Sequence, residues 1–166
     1  FTSDRIIVTT AGGGGPDIVL VPGLASSARI WNGTVAALPN YRYHIVQVRG
    51  FAGVPPGANV DGPVSAPVAE EIFRYIDEQQ LVRPAIIGHS MGGTIAMMVA
   101  ARHPASVGRV MVVDMMPFPG AMFGPPGATP ESVKPIADRI RTAMTSPLPD
   151  GARRGMAVQT ITSMIA

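Results

Sequence analysis

The sequence predicts an α/β fold: a mostly parallel sheet with helices on both faces. Three observations carry this expectation. Short apolar runs such as Asp17-Ile18-Val19-Leu20-Val21 and Ala85-Ile86-Ile87 have strand character. Amphipathic or small-apolar stretches of helical length separate them, and such alternation argues a parallel sheet covered on both sides. At Gly88-His89-Ser90-Met91-Gly92-Gly93, a strand passes straight into a helix.

In chain order, Ile6 to Thr10 reads as a strand, and Ala11 to Pro16 as a turn. The four consecutive glycines of that turn lack the Lys-Ser/Thr of a phosphate-binding loop, so a surface hairpin is the better reading. Asp17 to Val21 is the next strand, followed by a helix over Ser27 to Leu38 and a strand over Tyr43 to Val48. Phe51 to Pro67 is a Gly/Pro-rich connection expected to skirt the mouth of a site. Val68, Ala69, Ile72, Phe73 and Ile76 share one helical face, which predicts an amphipathic helix from Val68 to Leu81. Ala85 to Ile87 is a buried strand, Gly92 to Ala101 a buried helix, and Val107 to Asp114 a further strand.

Beyond Asp114 the texture changes. Met115 to Thr129 is rich in proline and glycine and reads as a linker leaving the sheet. Thr129-Pro130-Glu131 supplies an N-cap, a first-turn proline and an acid at the positive end of a helix. Val133, Ile136, Ala137, Ile140 and Met144 then keep helical spacing. A second helix is expected from near Asp150, with Met156, Ala157, Ile161, Met164 and Ile165 apolar.

Glycine spacing explains the segment around Ser90. A serine at the tip of a strand-to-helix turn needs a strained backbone, and its neighbours Gly88 and Gly92 must be free of clashing side chains. The hydroxyl then points into a cleft beside a helix N-terminus that favours developing negative charge. This G-x-S-x-G turn is the nucleophile elbow.

With the strand ending in Pro22-Gly23-Leu24-Ala25-Ser26-Ser27, the elbow resembles that of the α/β-hydrolase family. The resemblance implies an oxyanion hole made by the backbone N–H groups of Leu24 and Met91. Pro22 stands where the family usually has His, which leaves the backbone donor in place. Trp31 matches a tryptophan often found after this loop, and Tyr41 to Gly53 resembles the next strand and its Asp-X-Arg-Gly-X-Gly turn, with Gln47 replacing Asp. Arg102-His103-Pro104 and Val107 to Asp114 resemble the end of the nucleophile helix and the strand after it, so the ordered matches run over residues 4 to 117. They imply an N-terminal part of the hydrolase core over 1–117 and the start of a helical cap, the lid of the family, over 118–166. Several of the ten methionines fall there, either lining an acyl pocket or, as the favoured reading, filling the cap's own core.

Composition excludes other classes. With 46% hydrophobic and 14% charged residues, the 166-residue chain is an apolar globular domain rather than a disordered one. Its charge is +2, and its basic residues, all Arg except Lys134, form no stripe, so nucleic acid is not an expected partner. Zero cysteines rule out disulfides, thiolate metal sites and cysteine nucleophiles. No run reaches the roughly 20 apolar residues of a membrane span, and no signal peptide is evident. A soluble protein, cytoplasmic rather than secreted, is the expectation, with no metal or cofactor implied.

A catalytic triad in this fold runs Ser, then Asp or Glu, then His. After Ser90 the only histidine is His103, and a helix between them would hold it roughly 18 Å away. His89 adjoins the nucleophile in an orientation unsuited to a base, and His44 lies mid-strand as a structural histidine. Asp114 is a lesser candidate for the acid. The last strands of the sheet, with the acid and the His, are therefore expected outside this segment, on the rest of the same chain or a cleaved partner chain. The expected activity is hydrolysis of a small-molecule carboxylic ester through an acyl-enzyme on Ser90, with this segment alone inactive. Acyl transfer, perhydrolysis or carbon–carbon bond hydrolysis would use the same machinery, and a non-catalytic ligand-binding member is the reading from a different class.

Overall fold

The computed structural model describes residues 1–122, 124–145, 151–152, 154–155 and 158–159. It divides into two compact units, Phe1–Pro117 and Phe118–Ala166. The first unit is a five-stranded sheet in the order β1-β3-β2-β4-β5. Its strands are β1 (Ile6–Gly12), β2 (Asp17–Val21), β3 (Arg42–Val48), β4 (Ala85–His89) and β5 (Arg109–Val113). Its helices are α1 (Asn32–Ala37), α2 (Ser65–Glu78) and α3 (Met91–Arg102). β3, β2, β4 and β5 are mutually parallel, and β1 pairs antiparallel with β3 along one edge. The α/β class and the mostly parallel sheet are as the sequence predicts.

Side-chain alternation along the strands builds two cores, one on each face. Val19 and Val21 of β2, Val46 and Val48 of β3 and Ile86 of β4 pack with Val68, Ile72 and Ile76 of α2 and Ile95 and Val99 of α3. On the opposite face Ile18 and Leu20 meet Tyr43, Ile45 and Trp31, with Val35 of α1 against them. β2 is buried from both sides because its neighbours and both helical layers enclose it, which is why its sequence has no polar alternation.

Several boundaries differ from the sequence reading, each for a physical reason. β1 continues to Gly12 because its antiparallel ladder with β3 extends through Gly12↔Arg42. The expected single helix over 27–38 is a short 3-10 turn, Ala28–Trp31, followed by α1. Ser27 caps that turn by accepting the Arg29 N–H. α2 begins at Ser65 rather than Val68, since Pro67 in a first turn lacks only an N–H that would have no helical partner. β5 begins at Arg109, and Val107 is instead buried in the core against α2 and α3.

The second unit contains a 3-10 turn, Pro119–Met122, and α4 (Pro130–Thr145). Thr129 and Ser132 cap α4 reciprocally: Thr129 Oγ1 accepts the Ser132 N–H at 3.3 Å, and Ser132 Oγ accepts the Thr129 N–H at 2.9 Å. Val133 is its buried anchor, close against Gly120 and Gly124. Gly151, Ala152, Arg154, Gly155, Val158 and Gln159 are helical, while Met156, Ala157, Ile161, Met164 and Ile165 lie outside the described residues. Among the described residues no helix is long and apolar enough to cross a membrane.

Candidate active site

β2 connects to β3 on one side of it, and β4 then pairs on the other side, so the chain changes direction across β2 and β4. Open α/β sheets place ligands at the carboxyl ends of strands flanking such a switch. Here those ends carry Leu24, three residues past β2, and Ser90, directly after β4.

Ser90 has φ 52° and ψ −122°, a conformation costly for any residue with a Cβ. Three surroundings hold it there. Its N–H donates to the Val113 carbonyl at 2.9 Å, extending the β4–β5 ladder into the turn. Its own carbonyl accepts the N–H groups of Gly93 at 2.8 Å and Thr94 at 3.3 Å, opening α3. The third is the tight glycine packing around it. A Cβ on Gly88 would lie 2.1 Å from the Gly92 carbonyl oxygen, and one on Gly92 would lie 2.2 Å from that of Val21 and 2.6 Å from that of Pro22. Neither position has room for a side chain.

The loop after β2 closes on the same point. Gly23 sits against the elbow, where a Cβ would be 3.3 Å from Ser90 Cβ. A turn follows, with Ser26 N–H donating to Gly23 O at 3.2 Å and Ala25 at φ 57°. The Leu24 side chain is exposed, so its place in this turn is set by backbone geometry rather than by burial. Met91 is the first residue of α3, where an N–H has no intrahelical acceptor. Among the described residues no acceptor takes the N–H of either Leu24 or Met91. Beside the elbow, Ser26, Ile30, Trp31, Thr34, His89 and Val113 line a cleft of about 270 Å³. A larger groove of about 700 Å³ lies at the other ends of the strands, by Asp17, Ala85 and Arg109, away from Ser90.

All three histidines have other engagements or orientations. His44 is buried, with Nε2 2.8 Å from Asp17 Oδ1 and Nδ1 2.7 Å from the Tyr75 hydroxyl. His103, at the far end of α3, lies 2.9 Å from Glu70 and stacks on Phe73 with ring centroids 3.6 Å apart. His89 adjoins Ser90, but its Nδ1 is buried on the Gly23 side without a hydrogen-bond partner among the described residues. No hydrogen bond among the described residues links a histidine to Ser90. Asp114 follows β5 directly at φ 54°, exposed, one residue after the carbonyl that holds the Ser90 amide.

The sequence marks Gln47 only as a departure from an aspartate. In the structure its side chain reaches the loop that carries Leu24, bonding backbone groups of Ser26 and Ala28. A long polar side chain near the carboxyl end of a strand was the one available signal.

The sequence profile of the alpha/beta hydrolase family matches residues 18–162. This chain belongs to the alpha/beta hydrolase family. It is 34% identical over 121 residues to the pimeloyl-[acyl-carrier protein] methyl ester esterase of Aeromonas hydrophila, covering 72% of this chain and 45% of that protein. The protein of the same name from Photorhabdus laumondii is 30% identical over 124 residues, 74% of this chain and 44% of its own length. Among solved structures, a marine microorganism esterase superposes with TM-score 0.64 at 26% identity, covering 98% of this chain and 59% of that one. This alpha/beta hydrolase chain spans under half the length of those two curated relatives.

Proposed function

We propose that this chain carries the nucleophile and oxyanion donors of a serine hydrolase acting on carboxylic esters. The observation that carries the reading is Ser90 itself. It holds φ 52°, ψ −122° at a strand–helix junction, beside two main-chain amides, Leu24 and Met91, that no described residue uses. Strain of this kind persists only where the surroundings over-determine it, and it gathers at functional sites. Similarity to methyl ester esterases supports an ester as the substrate.

In this mechanism Ser90 Oγ attacks the ester carbonyl carbon while a histidine base outside residues 1–166 takes its proton. The Leu24 and Met91 amides receive the negative oxygen of the tetrahedral intermediate, a contribution of about 3 kcal/mol per donor in comparable sites. Collapse expels the alcohol, and water clears the acyl-enzyme by the reverse use of the same groups. Residues 118–166, which include α4, are read as the start of the family's helical cap. The test is fluorophosphonate labelling and p-nitrophenyl acetate turnover in the whole protein, with Ser90→Ala alongside. Both signals should vanish in the variant while circular dichroism stays unchanged. An unaltered kcat in Ser90→Ala overturns the assignment.

A further inference from the structure

The geometry points to Gln47 as a positioning residue that fixes the oxyanion loop, an inference that rests on the serine-hydrolase reading. Gln47 is the penultimate residue of β3 and is half-buried. Its Oε1 accepts the Ala28 N–H at 2.8 Å. Its Nε2 donates to the Ser26 carbonyl at 3.4 Å and to the Val48 carbonyl at 3.0 Å. The amide therefore grips the main chain on both sides of Ser27 and ties it back to the rigid end of β3.

The loop between these grips and the elbow is short. Ser26 N–H closes the turn onto Gly23 O at 3.2 Å, and Gly23 packs against Ser90. Leu24 is thus held at one end by the elbow and at the other by Gln47. The residue is 60% exposed, so hydrophobic burial does little to fix it. An oxyanion donor contributes only when its N–H already points to where charge develops. Gln47 supplies that constraint from outside the loop.

The side chain's chemistry matters as much as its reach. A carboxylate could still accept the Ala28 N–H, but it has no hydrogen to give the Ser26 and Val48 carbonyls and would face both with negative charge. Gln47 alone supplies an acceptor and two donations here. Replacing it by the acid removes half of the grip without changing its size.

The experiment uses the whole protein with Gln47→Ala and Gln47→Glu, and Ser90→Ala as a control. Steady-state kinetics on a short-chain ester is measured across the acid-to-neutral range, and amide hydrogen exchange is followed at Ala28. Both variants should lose kcat at neutral pH by about 10-fold to 100-fold, with KM changed less than about 2-fold, because a misplaced donor weakens only the transition state. The ratio of Gln47→Glu to wild-type kcat should recover as pH falls, since the protonated carboxyl can donate again. Ala28 exchange should accelerate in Gln47→Ala and stay slow in Gln47→Glu, which keeps the acceptor. Unchanged kcat in both variants, a rise in KM matching the loss in kcat, or unchanged Ala28 exchange in Gln47→Ala each overturns the inference. Should Ser90→Ala remain active, the serine reading fails separately, and the exchange data still decide whether Gln47 holds the loop.

Discussion

Gly23 lies so close to Ser90 that a Cβ there would sit 3.3 Å from Ser90 Cβ and 3.1 Å from His89 Nδ1. A methyl group at this point pushes the loop after β2 away from the Ser90 turn by a few tenths of an ångström. Gly23→Ala should fold, with a melting temperature within a few degrees of wild type, yet lose kcat by about 10-fold on a short ester. Equal kcat in the two proteins would show that the loop does not need this contact.

The Ser90 backbone also makes a prediction about stability. A non-glycine residue at φ 52°, ψ −122° stores strain of about 1–3 kcal/mol. Ser90→Ala keeps the Cβ and the strain, whereas Ser90→Gly removes both. Although glycine is disfavoured by unfolded-state entropy, Ser90→Gly should be the more stable of the two by about 1 kcal/mol. Urea denaturation of the two variants checks the order, and Ser90→Ala proving the more stable would refute the strain.

The strand-to-helix turn at Ser90 was legible because its constraints are local: Gly88 and Gly92 flank Ser90 within five residues, and no long-range contact is needed to see why. β2 was legible end to end, since burial on both faces leaves a run of Ile, Val and Leu bounded by Asp17 and Pro22. Gln47 was not, because its partners Ser26 and Ala28 lie on another element and backbone groups carry no residue signature. The hairpin reading of Ala11 to Pro16 gave β1 the wrong partner: β1 pairs antiparallel with β3 and is not a neighbour of β2, because side chains do not record which strand will lie alongside. The split of 28–37 into a 3-10 turn and α1 was missed because apolar spacing does not distinguish the two over so few residues.

His44 is buried between Asp17 and Tyr75. The Asp17 carboxylate can only accept, so His44 Nε2 carries a hydrogen toward it, while Nδ1 lies 2.7 Å from the Tyr75 hydroxyl. Tyr75→Phe leaves the buried Nδ1 without its hydrogen-bond partner and should cost about 1–3 kcal/mol in equilibrium unfolding. No measurable loss would mean that another group or water replaces the hydroxyl.

The same carboxyl gives a pH dependence. The Arg42 hydrogen bond holds Asp17 below its ordinary value of 3.8, with desolvation opposing and the His44 hydrogen bond assisting. A carboxyl whose pKa is lower in the folded state adds stability that is complete above its ordinary value and lost as pH falls below it. Wild-type protein should therefore lose stability below about pH 4, and Arg42→Gln should flatten that part of the curve while leaving its shape near neutrality unchanged. Parallel curves for the two proteins through the acid range would contradict this.

β5 forms an edge of the sheet, and Met111 and Val110 on it are 57% and 37% exposed. An open apolar edge pairs readily with other chains. Residues 1–166 expressed alone should self-associate and show no esterase turnover, and Met111→Lys should shift light scattering toward monomer. A wild-type segment that stays monomeric at high concentration, or one that hydrolyses esters unaided, would count against these expectations.

The pairing of β2 with β4, Ile18 against Ala85 through Val21 against Gly88, has a kinetic consequence. Leu24 and Ser90 come from distant parts of the chain, and nothing local brings them together. A slip of one residue would carry the loop about 3.3 Å along the elbow and turn Ile18 and Leu20 to the wrong face. Both cores would then be mispacked, so such a chain is driven to unzip and try again. Contacts this far apart in sequence form slowly, so in refolding of the whole protein regain of ester turnover should lag behind regain of helical signal.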